Sequence, residues 1–199
     1  MTRIVNNCVA LVCLCLFWGQ SLRAADASHS EQIKWGNESV FNEEHNTLGL
    51  FSGVLGGQIV LAGGTSDDYS RWGRNAVCLS ENAGFALYEE LLSKPLAYGA
   101  SITLSDGILC IGGRDSSQCY EDVFFVTMQQ GKLNVSEDWP PLPFPLSNAA
   151  GALLDNKVYL FGGRKSVSPS RLSDSFFVLD LSNKSRGWKE LPGYPGSVR

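Results

Sequence analysis

The chain has 199 residues, room for one ordinary domain or a small pair, and is 44% hydrophobic and 18% charged, which excludes extended disorder. Its formal net charge is −4, so it lacks the basic excess that nucleic-acid binding requires. Twenty-one glycines and ten phenylalanines indicate tight turns and aromatic-rich strands, an all-β composition.

Near the N-terminus Arg3 precedes the apolar run Cys8 to Trp18. That run is shorter than the roughly 20 residues a bilayer span needs and reads as the core of a signal peptide. Ala25-Asp26-Ala27 fits an A-x-A cleavage pattern, so residues 1–27 are predicted to be removed. The alternative is an uncleaved membrane anchor. Either way the domain is expected to be exported, periplasmic or secreted, with no membrane contact once the leader is gone. Removal leaves 14 basic against 19 acidic residues, a charge of −5.

Residues 28–47 read as an extended N-terminal segment. Three cysteines, Cys8, Cys13 and Cys15, belong to the leader, leaving Cys78, Cys110 and Cys119. An odd number in an oxidising compartment permits one bridge, and Cys110 with Cys119 is the favoured pair because they flank one loop. Three buried free thiols are the alternative. No C-x-x-C pair is present and both histidines, His29 and His45, precede the repeats. Neither a metal site nor a cofactor is expected.

A repeat dominates the rest of the chain. Gly53 to Gly64, Ile102 to Gly113 and Ala152 to Gly163 each hold an apolar strand, a short polar or glycine turn and a second apolar strand closed by Gly-Gly. This is a hairpin signature, recurring about every fifty residues. A third strand is predicted at Asp122-Val123-Phe124-Phe125-Val126 and Asp174-Ser175-Phe176-Phe177-Val178, with Asn75-Ala76-Val77-Cys78-Leu79 standing in for it in the first repeat. A fourth is predicted at Trp139-Pro140-Pro141-Leu142-Pro143, Trp188-Lys189-Glu190-Leu191-Pro192 and, in the first repeat, Tyr88-Glu89-Glu90-Leu91. Four strands per fifty residues make a propeller blade, so three blades are expected over 48–98, 99–147 and 148–199. Trp139 and Trp188 are expected to be buried between blades.

These segments resemble kelch repeats over about residues 48 to 199. Leu96-Ala97-Tyr98-Gly99-Ala100-Ser101, Leu109-Cys110-Ile111-Gly112-Gly113, Cys119-Tyr120-Glu121-Asp122-Val123-Phe124 and Leu61-Ala62-Gly63-Gly64 are similar to the cyclically permuted mutarotase family. The resemblance implies a kelch-type β-propeller of six blades, of which this chain carries about three, as if truncated at the C-terminus. It also implies an isomerase acting on a small-molecule sugar acid such as N-acetylneuraminate. Half a ring is expected to be inactive or weak alone, and self-association or pairing with a missing half would restore the ring. The rival reading is a secreted kelch module that binds a glycan or protein without chemistry.

In a propeller the loop between the second and third strands of each blade opens on one face. Arg114 and Arg164 hold equivalent places just after Gly-Gly, and two guanidinium groups suit a carboxylate. They are the candidate substrate-binding residues, with Arg171; Arg71 and Arg74 are lesser candidates. Mutarotation needs a general acid and a general base, and Glu121 and Asp115 are the candidate catalytic residues; Asp67 and Asp68 lie in a neighbouring loop. Asp122 and Asp174 recur at strand heads and read as structural. Asn37-Glu38-Ser39, Asn134-Val135-Ser136 and Asn183-Lys184-Ser185 match glycosylation sequons, which matter only in a eukaryotic secretory pathway.

Overall fold

Each Gly-Gly segment folds as the second half of a β-hairpin, and each hairpin is extended by two further antiparallel strands. In the computed structural model residues 48–80 and 84–193 are described; the expected leader over 1–27, the segment over 28–47 and the last six residues lie outside them. Blade one comprises β1 (Phe51–Leu55), β2 (Gln58–Ala62), β3 (Ala76–Ser80) and β4 (Gly84–Tyr88). Blade two comprises β5 (Ala100–Thr103), β6 (Ile108–Ile111), β7 (Val123–Gln129) and β8 (Lys132–Ser136). In blade three β9 (Ala150–Leu154) and β10 (Lys157–Phe161) are followed by a small hairpin, β11 (Arg164–Ser166) with β12 (Arg171–Leu172). Then come β13 (Phe176–Asp180), a 3-10 helix (Leu181–Arg186) and β14 (Lys189–Leu191). The three blade sheets are four-stranded, antiparallel and in sequential order, with β10 paired directly to β13 and β11–β12 forming a separate two-stranded sheet. The described residues are nearly all-β and form three unclosed propeller blades.

Local chemistry sets the hairpins. Gly56-Gly57 and Asp155-Asn156 take positive φ at both central positions, the backbone of a two-residue turn whose twist matches the strands. Gln130-Gly131 does the same between β7 and β8. This last turn corrects the sequence reading of blade two. Its fourth strand is Lys132–Ser136, not Trp139 to Pro143. Pro140 and Pro141 have no N–H to give a ladder, whereas β7 runs on to Gln129 and turns back. In blade three the segment after Trp188 does form the fourth strand, pairing Leu191 with Phe176 and Lys189 with Val178.

The Gly-Gly pairs join one blade to the next. Gly63 and Gly112 have φ of 71° and 63°, and a Cβ on either would collide with the carbonyl oxygen of Leu96 or Leu146. The following residue uses that approach: Gly64 N–H donates to Leu96 O and Gly113 N–H to Leu146 O, both at 2.8 Å. Only glycine combines this backbone with so close a neighbour. Gly162, with φ 67°, holds the equivalent place in blade three. The first strands of neighbouring blades also meet, Ser52 N–H donating to Ser101 Oγ at 3.0 Å and Val54 N–H to Thr103 Oγ1 at 3.3 Å.

The core lies in the two seams between blades. β6 is buried on both faces: Ile108 and Cys110 enter the first seam with Phe51, Val60 and Phe124, while Leu109 and Ile111 enter the second with Val158, Leu160 and Phe177. Burying one such aliphatic side chain contributes about 1.5 to 3 kcal/mol, so an uninterrupted apolar strand is the mark of the middle blade. Blades one and three are buried on one face only. Val54 and Ile59 stay about half exposed on blade one.

Trp139 and Trp188 lie at the second seam but are half-buried rather than enclosed. Their indoles close the seam's edge, Trp139 against Phe125 at 5.1 Å and under Lys184 Nζ at 4.1 Å from its ring centre. Of the two cysteine readings, the structure has the three buried free thiols and not the bridge. Cys78, Cys110 and Cys119 are buried and free, because Cys110 points into the first seam while Cys119 contacts Ser147 Oγ, at 3.4 Å, in blade three. Flanking one loop does not bring two side chains to one face of a strand.

Candidate functional site

The residue after each Gly-Gly resumes pairing with the segment that leads into its own blade. Thr65 pairs with Leu48, Arg114 with Ala97 and Arg164 with Ser147, each through two backbone hydrogen bonds. Arg114 and Arg164 therefore occupy equivalent backbone places, as the repeat predicts. Their side-chain surroundings differ.

Arg114 is half-buried in an aromatic box. Its guanidinium carbon lies 4.9 Å from the Trp72 ring centre, 5.0 Å from Tyr98 and 6.0 Å from Tyr69. Tyr69 and Tyr98 are stacked, centroids 6.4 Å apart, with the Tyr98 hydroxyl donating to that of Tyr69 at 3.4 Å. Trp72 is pinned by its indole N–H to Tyr69 O at 3.1 Å. Arg114 Nη1 donates to Asp115 O at 3.3 Å, and Nε is buried without a hydrogen-bond partner among the rings. A cation held by three π-faces has few rotamers left to lose on binding an anion. Burial and Tyr69 push the Tyr98 phenol up to about 12 against the opposing charge of Arg114, so it is neutral at physiological pH.

Asp115 organises the loop beside this box. Oδ1 accepts from Ser117 N at 2.7 Å, Ser117 Oγ at 2.8 Å and Gln118 N at 2.9 Å, and Oδ2 from the Tyr120 hydroxyl at 2.6 Å. Burial acts to raise its pKa, but these donors together outweigh it and bring the carboxyl to about 2. Lys94 extends the cluster, its Nζ 4.6 Å from the Tyr120 ring centre and 3.0 Å from Asp122 Oδ2. Glu121 is exposed at the end of the loop, its carbonyl accepting from Leu142 N.

Arg164 is half-buried at the start of β11, and Arg171 is exposed on β12, paired across from Ser166. Asn148 stands there where Tyr98 stands in blade two. Arg74 forms an ion pair with Glu90, and Arg71 is exposed with its carbonyl accepting from Thr65 Oγ1 at 2.7 Å. Asp68 caps its own turn: hydrogen bonds from Ser66 and Ser70 lower its carboxyl to about 2. Asp67 is exposed beside it.

With this geometry in view, comparison with known proteins is specific. The Kelch motif family matches residues 145–192, the third blade. N-acetylneuraminate epimerase of Vibrio cholerae is 31% identical over 80 residues, 40% of this chain and 19% of the relative. The proteins of that name in Brucella suis and Brucella melitensis are 33% identical over 66 residues, 33% of this chain and 15% of each relative. Part of the chain is thus similar to kelch repeats and to N-acetylneuraminate epimerases. The matched stretch spans less than a fifth of the length of these curated relatives.

In kelch terms, Arg114 lies in the loop between the second and third strands of its blade. Three residues beside it were not singled out from the sequence as site residues: Tyr69, Trp72 and Tyr98. Tyr69 and Trp72 sit in the same loop of the preceding blade as Arg114 does in its own, and Tyr98 just before β5. A sequence signal existed in the two aromatics within Thr65 to Trp72, but only the seam between blades shows that they converge on Arg114.

Proposed function

We propose that this chain carries part of the site of a sugar-acid mutarotase, acting on N-acetylneuraminate or a related sugar. The observation that carries the reading is Arg114, held in an aromatic box beside an acidic loop, in a chain related to N-acetylneuraminate epimerases. Arg114 pairs with the substrate carboxylate, and Arg164 and Arg171 add positive charge from the next blade. Mutarotation opens the sugar ring. A base takes the anomeric hydroxyl proton, the bond from the anomeric carbon to the ring oxygen breaks, and an acid protonates that oxygen; reclosure on the other face of the carbonyl returns both protons. The sequence is redox-neutral and draws on proton transfer alone. Glu121, exposed at the end of the loop, is the candidate base; Asp115, the second proton-handling candidate, is the weaker one, because four hydrogen bonds engage its carboxylate and hold it near 2. The chain is exported by the leader over residues 1–27, and further blades, from a longer chain or a second copy, complete the cavity.

The test is anomer exchange followed by NMR on freshly released sugar acid. Arg114→Ala and Glu121→Gln are expected to slow exchange by about tenfold or more each, typical of removing a positioned charged group. Unchanged rates in both overturn the assignments. The competing reading, a kelch module that binds a glycan or protein without chemistry, is favoured by the four hydrogen bonds that already occupy Asp115. Sugar-acid binding with no acceleration of exchange decides for it.

A further inference from the structure

The residue at the entry to each blade's first strand has a left-handed backbone: Gly49 at φ 65°, Tyr98 at 62° and Asn148 at 55°. These repeat-equivalent residues are linked blade to blade, Tyr98 N–H donating to Gly49 O at 2.7 Å and Asn148 N–H to Tyr98 O at 2.6 Å. Glycine adopts this conformation freely and asparagine tolerates it, but for a bulky aromatic it is an outlier. Such outliers persist where the surroundings enforce them, and they concentrate at binding sites. The Tyr98 ring lies directly on Gly49, whose missing side chain makes room for it: a Cβ there would come within 2.8 Å of the ring. Its other neighbours are Tyr69, Trp72 and the Arg114 guanidinium.

We propose that Tyr98 is a specificity-determining residue of this site, its ring aimed by the left-handed backbone to form, with Trp72 and Tyr69, a stacking wall for a sugar ring whose carboxylate sits on Arg114. The inference rests on the sugar-acid reading above and adds what distinguishes a sugar acid from a bare carboxylate. A pyranose ring has an apolar face of C–H groups that packs on aromatic rings, while a charged group fixes its orientation. Arginine alone selects for the anion; the rings select for the body attached to it.

The experiment compares Tyr98→Gly, Tyr98→Phe and Arg114→Ala with the unchanged chain, titrating N-acetylneuraminate and acetate by chemical-shift perturbation and recording thermal midpoints. Tyr98→Gly relieves the positive φ but gives up the ring's packing on Gly49, Tyr69 and Trp72, so its midpoint is expected to fall while the chain stays folded, and affinity for N-acetylneuraminate falls about tenfold or more. Acetate affinity is expected to be unchanged in Tyr98→Gly and lost in Arg114→Ala, and Tyr98→Phe should bind the sugar acid like wild type. Should Tyr98→Gly not fold, Tyr98→Asn, which copies Asn148, carries the same test; failure of both to fold makes the ring structural and overturns the proposal. Undiminished sugar-acid binding in the folded variant also overturns it, while loss in Arg114→Ala leaves the underlying reading standing. Absence of sugar-acid binding by the wild-type chain overturns both.

Discussion

The indole N–H of Trp188 donates to the Pro140 carbonyl at 3.0 Å, crossing from the residue just before the fourth strand of blade three to the segment that follows the fourth strand of blade two. The same device recurs one seam earlier, where the Tyr88 hydroxyl donates to Gly131 O, also at 3.0 Å. An aromatic with a polar tip closes the outer edge of each seam, its ring against the core and its donor on a neighbouring backbone. Because Trp188 is half-buried, Trp188→Ala is expected to cost about 2 to 3 kcal/mol, below the 3 to 5 typical of a fully enclosed tryptophan. Trp188→Phe should lose only about 1 kcal/mol, for the hydrogen bond. Urea melts read both values, and a loss under about 0.5 kcal/mol for the alanine variant contradicts the seam role.

The glycines divide into two kinds with different costs of substitution. Gly112→Ala forces a Cβ against the Leu146 carbonyl at a positive φ and is expected to destabilise by about 3 kcal/mol or more. Gly131→Ala has the same sign of φ but nothing within 4 Å of the added atom, so only the left-handed backbone is penalised, at about 1 kcal/mol. Equal melting shifts in the two variants would show that the close approach of the blades contributes nothing.

Asp115 makes stability depend on pH in the acid range. Its carboxyl is lowered from 3.8 to about 2 in the folded chain, so on acidification the unfolded state takes up the proton first. The contribution is complete above the unfolded value and is lost as pH falls through about 2. Asp115→Asn should therefore flatten the fall in melting temperature between about pH 4 and 2 relative to wild type. Thermal melts across that interval check the slope, and parallel curves refute the linkage.

Cys78, Cys110 and Cys119 predict a chemical outcome. Cys78 and Cys110 are buried and burial pushes both thiols up, so neither forms the reactive thiolate readily. Cys119 is also buried, against Ser147. Brief alkylation of the native protein should leave all three unmodified, and the same treatment in denaturant should label all three without prior reduction. Mass spectrometry distinguishes this from a Cys110 to Cys119 bridge, which leaves those two unlabelled in both conditions.

What the amino-acid sequence determines by itself is whatever depends on neighbours along the chain. The turns at Gly56-Gly57 and Asp155-Asn156, the Gly-Gly closures and the strands Val123 to Val126 and Phe176 to Val178 follow from residues with restricted backbone choices set in a repeat. The equivalence of Arg114 and Arg164 follows from the same repeat, because pairing register copies sequence spacing. The tertiary structure alone decides what faces a seam. Blade two could close with Lys132 to Ser136 because β7 was free to lengthen into a hairpin, a choice that a tryptophan recurring at the right spacing conceals. Cys110 and Cys119 separate because Cys110, on β6, faces the first seam while Cys119, in the loop that follows, packs against Ser147. Arg114 acquires its box from Tyr69 and Trp72 in one blade and Tyr98 at the entry to the next, while Arg164, with the same backbone, has Asn148 in place of that tyrosine. Local backbone preferences repeat with the sequence; side-chain surroundings do not, since each is assembled from segments that become neighbours only when blades pack together.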